Sequence, residues 1–210
     1  SDQHLAKVSY SKSLLSRAES GSPRDEYLLG QTYATGAGVQ QNDEQAVFWY
    51  RRAANHGDDN AINEMGRRYG EGIGVPRDDA QALLWFRRAA SDGSPTAQNN
   101  LGLMYFRGLG TAADPAAAVN WWTKAAEHGS IHAESNLGYA YLVGAGTVEA
   151  DPARAVKLLR KAADGGLADA QFNLGSCYEQ GTGVRGNLRY AVKWYAKSAA
   201  QRYVAAQAAL

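Results

Sequence analysis

The sequence predicts an all-α fold of about five helix-pair repeats, and three observations support this prediction. First, one skeleton occurs five times: an aliphatic residue, Gly, two variable positions, Tyr, two variable positions and Gly. Second, its copies start at a fixed period, with steps of 36, 36, 36 and 37 residues between Leu29, Met65, Leu101, Leu137 and Leu174. Third, a second helical pattern follows each copy. Such a period is typical of repeat arrays, in which each unit buries its apolar face by stacking on its neighbours.

Composition and charge exclude several other classes. Of the 210 residues, 45% are hydrophobic and 20% are charged, which is the composition of an ordered chain. The formal net charge of +1 provides no field that would attract nucleic acid, and no Lys/Arg tract stands out. No run of about 18 apolar residues exists, so we expect no direct membrane insertion. With Cys177 as the single cysteine, the array cannot contain an internal disulfide.

The first segment, residues 5–20, has apolar residues on a helical period and ends at Gly21. One period before Ala54 and Gly57 lie Ala18 and Gly21, so this segment resembles the second helix of an earlier, degenerate repeat, or a cap. The start of the chain lacks both an initiator Met and the layout of a signal peptide, which suggests a processed or trimmed N-terminus.

Each later unit opens with a first helix whose apolar residues recur every four positions, as in Ala61, Met65 and Tyr69. This spacing keeps them on one face, which we predict to be buried. The Gly beside the aliphatic residue costs about 1 kcal/mol of helix propensity relative to Ala. Because this cost recurs five times, we expect the partner helix to occupy the space of the missing side chain.

A glycine-rich loop follows each first helix, as in Gly72-Ile73-Gly74. Glycine just past a helix end favours a left-handed cap. A phosphate-binding loop is the alternative, but it needs a strand before it and a helix directly after it, and the sequence predicts neither.

The second helix of each unit starts after an Asn or Asp that is suited to the N-cap position. These residues are Asn42, Asp78, Asp114, Asp151 and Asn187. Pro115 and Pro152 occupy the first helical position, where the missing N–H is tolerated. An Ala and then a bulky pair such as Trp85-Phe86 follow, so that small and large residues alternate for dense packing. The one additional residue of the 37-residue step lies in the loop at residues 147–150.

These boundaries divide the chain into seven parts. Residues 1–21 form the N-terminal cap or degenerate half-repeat, and residues 203–210 begin a sixth repeat or form a C-terminal cap. The five repeats between them are residues 22–57, 58–93, 94–129, 130–166 and 167–202.

This pattern resembles the Sel1-like repeat family, which is related to the tetratricopeptide repeats. The resemblance covers residues 22–210 and rests on A-x-x-x-L-G-x-x-Y-x-x-G-x-G, then Asp or Asn, then A-x-x-W-Y-x-K-A-A-x-x-G. Departures from the pattern occur at single positions in several repeats: Asp25, Thr111, Thr147, Leu158, Leu159 and Arg202.

The resemblance implies a right-handed superhelix of antiparallel helix pairs, with the first helices lining a concave side. It also implies a non-catalytic adaptor or scaffold that binds another protein or peptide, without a cofactor. We expect a bacterial protein that is periplasmic or otherwise exported, with the cytoplasm as the alternative. An immunity protein that neutralises a secreted effector enzyme is the alternative function. An RNA-binding helical repeat is a more distant one, because other helix-pair arrays bind bases.

A helical wheel predicts which residues of the first helices form the partner-binding surface. The positions opposite the buried stripe include an aromatic and aliphatic strip that consists of Leu103, Phe106, Tyr139, Leu142, Val143 and Phe172. We call these six residues the strip. The other predicted partner-binding residues are Tyr27, Arg67, Glu71, Arg107 and Glu179. Exposed apolar patches of this kind mark interaction sites. The alternative is that some of these side chains contact the neighbouring first helix and are partly buried.

The sequence predicts no catalytic residue and no metal ligand. His128 and His132 are four residues apart, but Gly129 interrupts the helix between them and no third ligand is nearby. The pairs Asp58-Asp59 and Asp78-Asp79 are explained as helix starts. Cys177 lies next to the buried stripe and is interpreted as a packed residue, not a nucleophile.

Overall fold

A computed structural model describes residues 10–209, and this part of the chain forms twelve α-helices and no β-strand. The predicted all-α fold is therefore confirmed. The N-terminal half-repeat contributes α1 (Lys12–Glu19). The five repeats contribute one helix pair each: α2 (Pro23–Thr35) and α3 (Asp43–Asn55), α4 (Asp59–Glu71) and α5 (Asp79–Ser91), α6 (Pro95–Arg107) and α7 (Pro115–Glu127), α8 (Ile131–Val143) and α9 (Pro152–Asp164), α10 (Ala168–Gln180) and α11 (Leu188–Ala200). The described chain closes with α12 (Val204–Ala208).

The helix ends confirm the predicted caps. All five predicted N-cap residues accept a hydrogen bond from the backbone N–H three residues later, as in Asn42 Oδ1 with the N–H of Gln45 at 2.9 Å. At the other end, the glycine after each first helix adopts a left-handed conformation; φ is 72° at Gly72, for example. Pro115 and Pro152 are the first residues of α7 and α9. Each repeat is therefore delimited by its own sequence.

The glycine inside each first helix creates the predicted room for the second helix. A Cβ on Gly66 would lie 2.8 Å from the Phe86 ring, which is too close for a real contact. The same relation holds for four other pairs: Gly30 with Tyr50, Gly102 with Trp122, Gly138 with Leu159, and Gly175 with Tyr195. The second residue of each bulky pair thus packs directly against the backbone of its partner helix.

The second glycine of each loop has a role that the sequence did not predict. Gly74 has a φ of 72°, and a Cβ on it would overlap the backbone carbonyl of Asp43, at the start of α3 in the preceding repeat. Gly183 lies in the same way against Pro152 at the start of α9. In the loops of repeats 2 to 5, this glycine therefore allows the loop to contact the helix start of the repeat before it.

The chain divides into two compact units, of which the first comprises residues 10–97 with 109–111 in the described range. In this unit α1 packs on α2, and the cluster of Leu14, Ala18, Leu29 and Trp49 buries the half-repeat. Residues 5–9 of the predicted N-terminal helix lie outside the described residues. The part of the cap that is described is therefore packed as the sequence predicts.

The second unit comprises residues 98–108 with 112–209 in the described range. One cluster centres on Trp122, Leu137 and Tyr141, and another on Leu159, Leu174 and Tyr195. Ala206 of α12 is buried, as expected for the start of a sixth first helix, whereas Leu210 lies outside the described residues. In the described range every helix falls short of the length and apolar character that crossing a bilayer requires.

Candidate partner-binding surface

The strip lies on three first helices of the second unit. Leu103 and Phe106 belong to α6, Tyr139, Leu142 and Val143 to α8, and Phe172 to α10. Tyr139 and Val143 are exposed, with 46% and 50% of their surfaces accessible. The other four side chains are half-buried. The strip therefore combines surface residues with residues that also belong to the core.

The half-buried members are held in place by core side chains. The Phe106 ring centre is 5.3 Å from that of Trp122 and 6.4 Å from that of Tyr139. The Phe172 ring packs on Tyr195 at 5.4 Å. Leu103 and Leu142 pack against the cluster around Trp122. The alternative of a contact with the neighbouring first helix thus applies to Phe106, which meets Tyr139 of α8, and the role of the strip in binding stays a prediction.

Most of the charged residues predicted beside the strip have partners of their own. In the first unit, Arg67 contacts Glu64 at 2.9 Å and Glu71 at 2.7 Å, and the hydrogen bond to Glu64 raises the pKa of Arg67. Tyr27, also in the first unit, is half-buried with its ring 5.6 Å from that of Tyr50. These ion pairs leave few charges available to a partner.

In the second unit, Glu179 accepts a hydrogen bond from the Tyr195 hydroxyl at 2.7 Å. Burial, with this bond as a lesser cause, raises the pKa of Tyr195 to about 12. Arg107 is exposed and forms no ion pair or hydrogen bond with any residue in the 10–209 range. It is therefore the charged residue beside the strip that is available to a partner.

Polar side chains connect the first helices of the second unit. The Asn136 side-chain amide donates to Asn99 Oδ1 at 2.9 Å, and the Ser135 hydroxyl donates to Asp169 Oδ2 at 3.0 Å. Trp122 Nε1 donates to the Asn99 carbonyl at 3.0 Å. These bonds link α6 to α8 and α8 to α10, so the surface that carries the strip is held together by more than apolar contacts.

The first unit contains a buried carboxylate that the residue pattern did not predict. Glu26 is fully buried, and its two oxygens contact Arg52 Nη2 at 3.0 Å and His56 Nδ1 at 2.7 Å. One sequence feature indicated burial of this position, namely that the equivalent residue of repeat 2 is the apolar Ile62. In the structure the residue one place after the first stripe position is buried in all five repeats.

Two repeated contacts of basic residues were also missed. Where the bulky pair contains a Trp, a basic residue three positions later lies over the Trp ring. Lys124 Nζ, for example, is 4.4 Å from the Trp121 ring centre. In addition, an Arg of one repeat donates a hydrogen bond to the hydroxyl of the skeleton Tyr in the next repeat, as Arg160 Nη2 does to Tyr178 at 2.6 Å. The constant spacing of these residues in the sequence was a usable signal. Both contacts stabilise the array and do not by themselves form a binding site.

The described residues offer little reactive chemistry. Between residues 10 and 209, no three His, Cys, Asp or Glu side chains converge to hold a metal ion. Cys177 is buried, and burial raises the pKa of its thiol to about 11. His128 Nδ1 lies 2.9 Å from the Lys124 carbonyl, at the end of its own helix. The arrangement is that of a scaffold whose polar groups are used in packing.

Comparison with known proteins gives the family. The Sel1 repeat model matches residues 23–58, 59–94, 95–130, 131–167 and 168–203, each starting one residue after the predicted boundary. Among solved structures, a protective antigen of uropathogenic Escherichia coli with an SLR fold is 38% identical with a TM-score of 0.84. The alignment covers 92% of this chain but 41% of that one, so the chain spans less than half the length of that relative.

A Sel1 repeat protein from Oxalobacter formigenes is 33% identical with a TM-score of 0.84, and the alignment covers 89% of this chain and 74% of that one. An immunity protein from Pseudomonas aeruginosa shares the fold at 23% identity and a TM-score of 0.55, with 84% of this chain and 67% of that chain covered. None of the curated proteins matches the chain. The chain belongs to the Sel1 repeat family, whose members are generally non-catalytic protein-interaction scaffolds.

Proposed function

We propose that this protein is a non-catalytic adaptor that binds a partner protein or peptide through the strip on α6, α8 and α10. The observation that carries the proposal is the exposure of Tyr139 and Val143 beside aromatic rings that are anchored in the core. Large apolar side chains on an exposed helix face are typical of interaction sites, and aromatic residues contribute most to binding. Membership of a family of protein scaffolds supports the same function.

The construction of the strip favours binding for an entropic reason. Phe106 and Phe172 are already held by Trp122 and Tyr195, so little side-chain freedom remains to be lost when a partner covers them. Arg107 is exposed and without a partner in the described range, and is available to a carboxylate of the bound protein. The proposed partner therefore has an apolar contact surface with an acidic residue at its edge.

Affinity capture from the native organism tests this proposal. The wild-type chain is expected to recover a stoichiometric protein partner, and the double variant Tyr139→Ser with Val143→Ser to lose it. Phe48→Ser is the matched control, because Phe48 is a 50% exposed aromatic residue on α3 of the first unit and is not part of the strip. Equal capture by the double variant and the wild type, or repeated failure of the wild type to capture any protein, contradicts the proposal. Unfolding temperatures of all three chains verify that they are folded.

A second candidate is an immunity protein that neutralises a secreted effector enzyme. It is favoured by the shared fold with the immunity protein from P. aeruginosa, but at 23% identity that likeness concerns the fold alone. We therefore rank the adaptor first. The two roles differ in genomic context, because an immunity gene adjoins the gene of its toxin, and sequencing of the native locus distinguishes them.

We propose that the adaptor is a bacterial protein that is periplasmic or otherwise exported. Two similar structures above 30% identity come from bacteria, namely E. coli and O. formigenes, and this supports a bacterial source. Fractionation of the native organism, with a periplasmic and a cytoplasmic marker protein, tests the compartment. Recovery of the protein with the cytoplasmic marker alone contradicts this part of the proposal.

A further inference from the structure

Positive charge is concentrated on the second helices of the last two repeats. Glu179 is the last acidic residue of the sequence, and all charged residues after it are basic. Along α9 and α11 the only acidic residue is Asp164. Seven basic residues oppose it, and all seven are exposed: Arg154, Lys157, Arg160, Lys161, Arg189, Lys193 and Lys197. The net charge of +1 for the whole chain conceals this local excess.

Three of these charges are uncompensated. Lys157, Arg189 and Lys193 form no ion pair, hydrogen bond or ring contact with any residue that the structure describes. The other four have partners of their own. For example, Lys161 forms an ion pair with Glu134 at 3.4 Å, and Lys197 lies 4.2 Å from the Trp194 ring centre. A cluster of like charges is unfavourable in the free protein, so a function in binding an anionic group offers a reason for it.

A groove lies beside these charges, between the end of α10 and the start of α11. It has a volume of about 410 Å³ and is lined by Tyr178, Val184, Arg185, Gly186, Asn187 and Tyr190. The Tyr178 and Tyr190 ring centres are 5.3 Å apart, and Arg160 of α9 donates to the Tyr178 hydroxyl at 2.6 Å. Tyr190 is 50% exposed, and Leu188 and Val192 on the same helix are exposed as well. The groove thus combines aromatic walls with positive charge.

The preceding repeat provides an internal comparison. Its loop forms an equivalent groove, lined by Tyr141, Glu149 and Asp151 among others. Counted back from the N-caps Asp151 and Asn187, Glu149 occupies the position of Arg185. Arg154 occupies the position of Tyr190 and lies 4.4 Å from the Tyr141 ring centre. The two grooves therefore differ in two respects: the loop residue is acidic in repeat 4 and basic in repeat 5, and the second aromatic wall is present only in the groove of repeat 5.

We propose that the groove at Tyr178 and Tyr190, with the free basic residues Arg189 and Lys193, binds an acidic segment of a partner protein that carries aromatic or aliphatic side chains. Carboxylates of the segment complement the basic residues, and its apolar side chains pack on Tyr190 and Val184, which line the groove. A protein fits better than nucleic acid, because the exposed aliphatic residues Leu188 and Val192 beside the basic ones offer nothing to a phosphate backbone.

This surface is separate from the strip, so it does not depend on the function proposed above. The test uses fluorescence anisotropy of the full chain with a fluorescein-labelled peptide of Asp, Glu, Leu and Phe. The matched peptide has Asn and Gln in place of Asp and Glu. We expect saturable binding of the acidic peptide, weakened by added salt, and binding of the amide peptide that is at least about tenfold weaker.

Charge-reversed variants locate the site. Arg189→Glu with Lys193→Glu is expected to weaken binding of the acidic peptide by at least about tenfold, and Tyr190→Ser to weaken it without changing the charge. Lys12→Glu with Arg24→Glu is the control, since both residues are exposed, lie in the first unit, and give the same change in net charge. This control is expected to change the affinity by less than about twofold.

Three results overturn the proposal. The first is equal binding of the acidic and amide peptides, or no binding of either. The second is an equal loss of affinity in the control variant, because the attraction would then come from the charge of the whole chain. The third is tighter binding of single-stranded RNA or phosphatidylglycerol vesicles than of the acidic peptide, with the same loss on charge reversal, because the surface would then serve another class of ligand. Circular dichroism verifies that each variant is folded.

Discussion

At the scale of single residues, the contact between Gly66 and Phe86 shows how an absent side chain determines the distance between two helices. The ring lies against the helix backbone at the place where a Cβ would be, 2.8 Å from it. The sequence predicted this from the repeated cost of a mid-helix glycine. It could not predict which atom fills the space, because that depends on how α4 and α5 cross.

We expect Gly66→Ala to destabilise the protein by up to about 2 kcal/mol, since overpacking against the Phe86 ring costs about 1–3 kcal/mol and the gain in helix propensity offsets about 1 kcal/mol of it. Gly70→Ala in the same helix is the control: its Cβ would meet only the Ala82 Cβ, at 3.6 Å. It should be neutral or stabilising by up to about 1 kcal/mol. Urea unfolding measures both, and equal stabilisation by the two substitutions would contradict the proposed role of Gly66.

The Cys177 thiol should make stability depend on alkaline pH. Burial raises its pKa to about 11, whereas the thiol of an unfolded chain has a pKa of about 8.5. Below about pH 8.5 the thiol is neutral in both states, so its contribution to stability is fully present. The contribution is lost as the pH rises from about 8.5 to about 11, because the unfolded state then ionises more readily.

The expected loss over this range is on the order of 2–3 kcal/mol, and Cys177→Ala should remove that part of the slope. Urea unfolding of both chains at a series of pH values measures the difference. Iodoacetamide should also label the wild-type thiol slowly at pH 8 and rapidly in urea. Labelling of the folded chain at the rate of a free cysteine would show that the thiol is accessible.

Glu26 shows what residue patterns could not reveal. A Glu in the first turn of a helix is ordinarily an exposed residue that favours the helix dipole. Here it is fully buried between Arg52 and His56 of the second helix. The buried face of α2 extends beyond the stripe of residues spaced four apart. How far it extends depends on how α3 packs on α2, which the sequence pattern does not contain.

At the scale of elements, the loops carry two glycines with different roles. The first ends the helix in a left-handed conformation, as the sequence predicted. The second also has a positive φ, but in addition it lies against the helix start of the preceding repeat. The first role is local and readable from sequence, whereas the second is a contact between residues about 30 positions apart.

The two roles predict different costs for the same substitution. Gly181 and Gly183 have φ values of 70° and 68°, so Ala is strained equally at either position, by about 1–2 kcal/mol. A Cβ on Gly181 meets no atom closer than 3.6 Å, whereas one on Gly183 overlaps the Pro152 carbonyl. We expect Gly183→Ala to cost about 1–3 kcal/mol more than Gly181→Ala in thermal unfolding. Equal costs would mean that the contact between loop and helix does not contribute to stability.

At the scale of the whole molecule, the two proposed surfaces are formed by different residues of the second unit, and α10 contributes to both. The strip lies on the first helices α6, α8 and α10, whereas the basic groove lies between the end of α10 and the start of α11. The net charge of the whole chain does not indicate the basic surface, because the value of +1 averages over a segment after Glu179 that has no acidic residue. An adaptor with two such surfaces is able to hold two partners at once.

We therefore expect the two surfaces to respond independently to substitution. Tyr139→Ser with Val143→Ser should abolish capture of the native partner and change the affinity for the acidic peptide by less than about twofold, since distant sites are additive. Arg189→Glu with Lys193→Glu should have the reverse effect. Capture assays and peptide anisotropy on the same two chains measure this. Loss of both activities in either chain would show that one partner covers both surfaces.

The sequence by itself determined the repeat, its period, the helix boundaries and the family, because caps, loop glycines and the buried stripe are local or periodic features. The tertiary structure alone showed the burial of Glu26, the contact of Gly183 with Pro152, and which residues of the strip are free to bind. Phe106 and Tyr139 occupy similar places on a helical wheel, yet one is half-buried on Trp122 and the other is exposed. Burial depends on what the neighbouring helix places against a residue, and a wheel drawn for one helix does not contain that helix's neighbours.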